Sequence, residues 1–109
     1  MRVESNLLNS LYMGRLQSLR QRAEDSGISK SGSVEVLRAR LISNLVLAEV
    51  DFSWEGIQSM PHKEMGEVLK VFGIKSSGSH KERRQRLWLH LSYDSRRMTI
   101  ENLAEMNRD

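Results

Sequence analysis

The sequence predicts an all-α protein with no sheet, built from two tandem copies of one helix–extension–helix module. Three observations lead there. The stretch GISKSGSVEVLRARLI aligns without a gap on GIKSSGSHKERRQRLW at an offset of 46 residues. Apolar residues recur at three- and four-residue spacings in each copy, the period of a helix, and no segment reads as a strand. In each copy a glycine stands where one helical stripe ends, and a serine stands where the next begins.

The repeat is dense. Gly27/Gly73, Ile28/Ile74, Ser31/Ser77, Gly32/Gly78, Ser33/Ser79, Arg38/Arg84, Arg40/Arg86 and Leu41/Leu87 are identical, half of the 16-residue window. Upstream, Leu11 falls on Ile57, Leu19 on Met65 and Ala23 on Leu69. Such identity at one fixed offset is the mark of a duplication. A weaker echo sets Trp54-Glu55, Ile57 and Met60 over Ile100-Glu101, Leu103 and Met106. Either a third copy opens there or the segment is an ordinary amphipathic helix.

Each copy begins with a short apolar segment, LLNSLYM in the first and FSWEGIQSM in the second, where Ser53 is a candidate cap. A long helix follows, over about 16–26 and about 61–72. Leu16, Leu19 and Ala23 form one stripe, and Met65, Leu69 and Phe72 the other. Pro61 suits the first turn, where its missing N–H costs nothing. Gly27 and Gly73 are placed to close these helices in the left-handed conformation, with Ile28 and Ile74 packing back. An extended segment comes next, Ser29 to Gly32 and Lys75 to Gly78. A second helix then starts at Ser33 and Ser79, running over about 34–47 and 80–92. Ser79-His80-Lys81-Glu82 predicts a full capping box, whereas Val36 leaves the first copy with the cap alone. Leu37, Leu41 and Leu45 are the expected core of one copy, and Leu87, Trp88 and Leu91 that of the other. The expected organisation is a first module at 7–47, an acidic linker at 48–53, a second module at 54–93 and a tail at 94–109.

Composition bounds the function. Of 109 residues, 39% are hydrophobic and 28% charged, which fits a globular chain rather than a disordered one. No apolar run approaches the ~20 residues of a membrane span, and MRVESNLLNS lacks the apolar core of a signal peptide. Without cysteine there is no disulfide framework and no thiolate metal site. An intracellular monomer without cofactor is expected. The net charge is +3, and its distribution is uneven. Residues 75–97 carry seven Lys/Arg against two acids, and residues 15–40 six against three. Between them, residues 41–68 carry Glu49, Asp51, Glu55, Glu64 and Glu67 against Lys63. Both basic zones fall in corresponding parts of the repeat.

The two segments LRQRAEDSGISKSGSVEVLRARL and MGEVLKVFGIKSSGSHKERRQRL resemble the SAP motif, a helix–extension–helix DNA-binding module. Leu19-Arg20, Gly27-Ile28, Ser31-Gly32 and Arg40-Leu41 carry the resemblance in the first copy. Met65, Gly73-Ile74, Ser77-Gly78, Lys81-Glu82 and Arg86-Leu87 carry it in the second. The resemblance covers 19–41 and 65–87. It implies double-stranded DNA binding with a bias for A/T-rich, narrow-groove sites, in a nuclear or nucleoid-associated, chromatin-type setting. Three departures stand out. Ser33-Val34 and Ser79-His80 replace the family's lysine after the Ser-Gly step, Gly66 replaces the basic residue after the first apolar position, and Arg83 stands where Leu37 stands in the first copy. From these, the first copy is expected to bind weakly or serve as structure, and the second to have gained charge and lost core.

The residues support phosphate binding on physical grounds as well. A helix N-terminus exposes N–H groups and the positive end of a dipole. Ser76, Ser77, Gly78 and Ser79 would let a nucleic-acid backbone approach one such end, ringed by Lys75, His80, Lys81, Arg83 and Arg84. The first-copy counterparts are Lys30, Ser31, Gly32, Ser33 and Arg38, joined by Arg20. Contacts of this kind position a protein without reading bases. Replacing Lys81, Arg83 and Arg84 by Ala is expected to weaken binding with the fold intact. For Arg40 and Arg86, deep in the second helix of each copy, a structural role is expected, closing on a carboxylate or a helix end.

Catalysis lacks parts: His62, His80 and His90 show no metal-ligand spacing, and no HExxH or phosphate-loop pattern occurs. The rival reading is a helical-repeat protein-interaction module of the HEAT type, with Phe52, Trp54, Met60 and Trp88 as interface anchors rather than core. Protein partners therefore stay open, as does RNA in place of DNA.

Overall fold

The computed structural model describes residues 3–91, and among these the chain is all-helical with no strand. Its helices are α1 (Ser5–Met13), α2 (Leu16–Asp25), α3 (Val34–Leu41), α4 (Trp54–Ser59), α5 (His62–Val71) and α6 (His80–His90). The chain divides between Val50 and Asp51 into two compact units. The tail at 94–109, with its third-copy echo, lies outside the described residues.

In the first unit, α1 begins two residues earlier than the apolar run because Glu4 caps it. The Glu4 carboxylate accepts from the amides of Asn6 and Leu7 at 3.2 and 2.8 Å. Helix α2 ends at Gly27, whose φ is +69°, and Ile28 N donates to Ala23 O at 2.8 Å. That is the six-to-one bond of a Schellman close, and it accounts for glycine at this position. Ser33 Oγ then accepts from Val36 N at 3.3 Å to open α3.

The second helix of this unit departs from expectation. It is α-helical only to Leu41, and Ile42–Val46 form a π-helical turn in which Leu47 N donates to Ile42 O at 2.9 Å. An i→i−5 bond inserts one residue into the turn. The buried stripe therefore steps from Leu37 and Leu41 to Val46, and Leu45, expected in the core, is only half-buried. Leu11, Leu19, Ala23, Ile42 and Leu47 complete this core.

The second unit follows the same local rules. Gly73 closes α5 with φ +72°, Ile74 N donates to Leu69 O at 3.1 Å, and Ser79 opens α6. The capping box is formed: Ser79 Oγ accepts from Glu82 N at 3.2 Å, and Glu82 accepts from Ser79 N at 3.0 Å. Pro61 stands one residue before the first helical position, as the cap of α5. Ile57, Met65, Val68, Leu69 and Leu87 are fully buried, and Phe72, Trp88 and Leu91 nearly so. Phe52 and Met60 are core too, and Phe52 packs its ring 5.8 Å from that of Phe72. Asp51 accepts from Ser53 N at 2.9 Å. The last residues of the expected linker thus belong to the second unit, because a buried ring and an acidic turn tie them there. Trp54 is half-buried, its ring edge-on to Trp88 at 5.0 Å.

Candidate nucleic-acid interface

The extensions have one conformation in both units, and arginine holds it. Arg40 Nη1 donates to the carbonyls of Ser29 and Ser31, both at 2.7 Å. Arg86 Nη1 donates to Lys75 O at 2.7 Å and Ser77 O at 2.8 Å. The four acceptors lie at matching positions of the repeat. In an extended chain, alternate groups point to the same side, so one guanidinium nitrogen reaches residues i and i+2. A structural role was expected for both arginines, but the partner is the extension's own backbone rather than a carboxylate or a helix end. Gly32 and Gly78 turn the chain at φ +103° and +115°, and Ser33 and Ser79 follow with φ −72° and −71°. Ser31, Gly32, Ser33, Ser77, Gly78 and Ser79 are all exposed. Small residues at the start of a helix are thus presented outward in both units.

The cations around them differ between the units. In the first, Arg20 is exposed on α2. Lys30 Nζ lies 3.1 Å from Glu24 Oε2, an exposed ion pair. Half-buried Arg38 donates from Nε to Leu11 O at 3.1 Å, with its guanidinium over the Tyr12 ring at 5.4 Å. Two of the three predicted cations of this unit are therefore engaged internally.

In the second unit Lys75 is exposed, and His80, Lys81, Arg83 and Arg84 are half-buried along the start of α6. Arg83 is held internally. Its Nε donates to Ser76 O at 2.6 Å and its Nη1 to His62 O at 2.7 Å. The guanidinium fastens the extension to the first residue of α5, in the position that fully buried Leu37 fills in the other unit. Removing Arg83 with Lys81 and Arg84 would thus disturb the fold as well as the charge. Gly66 makes the arrangement fit: a Cβ there would stand 2.7 Å from Arg83 Nη1. The two departures at 66 and 83 are one exchange, in which Arg20 and Leu37 of the first unit become Gly66 and Arg83 in the second.

His62, which the charge pattern did not single out, joins this cluster. Its ring centroid lies 5.6 Å from that of His80. The His80 imidazole is held below its ordinary 6.5, first by partial burial and then by Arg84, His62 and Arg83. The buried atoms His80 Nε2 and Arg84 Nε have no hydrogen-bond partner. The signal that could have marked His62 is its position directly after Pro61, at the start of α5.

Among the described residues no group of His, Asp or Glu could hold a metal ion, and no helix is long and apolar enough to cross a membrane. No protein-family model, no curated protein and no solved structure matches the chain.

Proposed function

We propose that this chain binds nucleic acid without catalysis, double-stranded DNA in preference to RNA, through helix–extension–helix modules that contact backbone phosphates with little sequence specificity. The observation that carries this reading is the second unit's cluster. Lys75, His80, Lys81 and Arg84 gather beside the Ser77-Gly78-Ser79 helix entry, whose shape Arg86 fixes. Exposed small residues admit a phosphate closely, and Lys75, Lys81 and Arg84 supply the charge. The resemblance to the SAP motif supports the same reading, as does the recurrence of one extension geometry, since a stacked protein-interaction repeat tolerates many connections at that point.

The test is a fluorescence-anisotropy titration of a short A/T-rich duplex at several salt concentrations, with the wild type and a Lys75→Ala, Lys81→Ala, Arg84→Ala variant. Arg83 is left in place because its bonds hold the extension. Each lost phosphate contact should flatten the log K against log salt slope by about 0.9. A variant that binds as the wild type does, with unchanged slope, removes the site. A single-stranded RNA of equal length run in parallel decides between the two nucleic acids.

A further inference from the structure

We infer that nucleic-acid binding at the second unit is proton-linked: His62 and His80 take up protons as the phosphate backbone arrives, so affinity rises as pH falls through the imidazole range. The inference rests on the nucleic-acid reading above and adds a regulation of that same site.

The sequence narrows the possible sources of such a response. It holds three histidines and no cysteine, so between about pH 6 and 7.5 the histidines are the side chains whose ordinary titration changes the charge. Two of the three come together. His62 opens α5 and His80 opens α6, and their rings lie 5.6 Å apart. Arg83 ties these helix starts to the extension, its Nε donating to Ser76 O and its Nη1 to His62 O. His90 stands about 15 Å along α6 from His80. Its ring lies 5.0 Å from that of Phe72.

Positive charge surrounds the pair. The charges acting on His80 are Arg84 and Arg83 from its own helix and His62 from α5, while α4 and the extension contribute none. Partial burial acts first, and together with these cations it holds the His80 imidazole below its ordinary 6.5. Neither buried His80 Nε2 nor buried Arg84 Nε has a hydrogen-bond partner among the described residues. A proton placed here therefore meets cations as its effective neighbours. A phosphate reverses that balance. His62 is exposed, and so is Ser79 beside His80 at the helix entry, so a backbone seated there brings negative charge to both rings. An opposite charge within about 4–6 Å favours the protonated imidazole. The coupling is reciprocal: if bound phosphate favours the proton, the proton favours bound phosphate.

Affinity for the A/T-rich duplex is measured by fluorescence anisotropy between about pH 7.5 and 6.0, at fixed ionic strength. The proteins are the wild type, His62→Gln, His80→Gln, the double variant and His90→Gln. His62→Gln keeps the backbone carbonyl that holds Arg83. A phosphate that raises one imidazole pKa by about one unit strengthens binding about three-fold over this range, and two such groups about ten-fold. Wild type and His90→Gln should show the larger response, each single variant at the pair the smaller, and the double variant none. NMR titration of the imidazoles in the wild type, with and without duplex, reads the same linkage without any substitution. The His62 and His80 titrations should move to higher pH on binding, and that of His90 should stay. Affinity that ignores pH, or imidazole titrations that the duplex leaves unmoved, overturns the proton linkage while leaving nucleic-acid binding in place. A response kept by the double variant but lost in His90→Gln overturns its assignment to the pair. Absence of binding at every pH, even at low salt, removes the nucleic-acid reading itself.

Discussion

Gly66→Ala sets helix propensity against a single contact. Gly66 lies within α5 and is buried. Alanine in a helix interior is favoured over glycine by about 1 kcal/mol, so on propensity alone the substitution stabilises. The added Cβ would stand 2.7 Å from Arg83 Nη1 and 3.0 Å from its Cζ, so the guanidinium has to move. Moving it disturbs the bonds to Ser76 O and His62 O. A hydrogen bond from a charged donor contributes about 1.5–3 kcal/mol. The bond to His62 O is exposed and counts for little, while the bond to Ser76 O is part-buried and counts more. Net destabilisation of about 1–2 kcal/mol is expected, opposite in sign to propensity. In an Arg83→Leu background, which restores the residue type of the first unit, Gly66→Ala should instead stabilise by up to about 1 kcal/mol. Both tryptophans, Trp54 and Trp88, lie in the second unit with rings 5.0 Å apart, so urea unfolding read by tryptophan fluorescence reports this unit. Equal effects of Gly66→Ala in the two backgrounds would refute the coupling of 66 and 83.

Three further outcomes follow from the same geometry. Arg86→Ala frees the carbonyls of Lys75 and Ser77, and because both bonds are exposed it should cost no more than about 1 kcal/mol, with faster amide exchange over 75–79; unchanged exchange there would mean that the extension holds its shape without the arginine. Glu82 is held below its ordinary 4.5 by its bonds to Ser79, so its stabilisation is present above that value and lost as pH falls through the lower folded value; the deficit of Glu82→Gln should be present at neutral pH and shrink progressively as pH falls below 4.5, and a deficit that stays constant on acidification would point to packing instead. His80 and His90 are both held below 6.5, each chiefly by burial, so the unfolded chain takes up protons first and the second unit loses stability as pH falls below about 6.5; His80→Gln with His90→Gln should flatten that decline in tryptophan-monitored unfolding, and an unchanged decline would assign it elsewhere.

What the sequence made legible were the features decided by a few neighbouring residues. Gly27 and Gly73 stop helices because only a residue tolerant of positive φ completes the bond from Ile28 or Ile74. Ser33 and Ser79 start them because a short side-chain oxygen reaches the third amide, and Glu82 shows as a capping box by spacing alone. The π-helical turn at 42–46 was not legible, since a change of one residue per turn leaves the apolar pattern of LISNLV open to either period. Nor was the role of Arg83. A charge at a position that is leucine in the other copy reads as lost core, and its compensation lies 17 residues away at Gly66. Pairing of Lys30 by Glu24 is likewise a matter of where a turn folds back. Summed charge over 15–40 does not tell that Lys30 and Arg38 are held internally.

The duplicated residues carry a consequence for function. The positions identical between copies include Gly27/Gly73, Gly32/Gly78, Ser33/Ser79, Arg40/Arg86 and Leu41/Leu87. Each has an intramolecular reason: a positive φ, a cap, a clip on two carbonyls, a buried side chain. Identity at these positions accounts for one shape kept twice. The positions that differ set the charge around that shape. Glu24 against Lys70, Tyr12 against Gln58, and Leu37 with Arg20 against Arg83 with Gly66 all alter which charged side chains are held and by what.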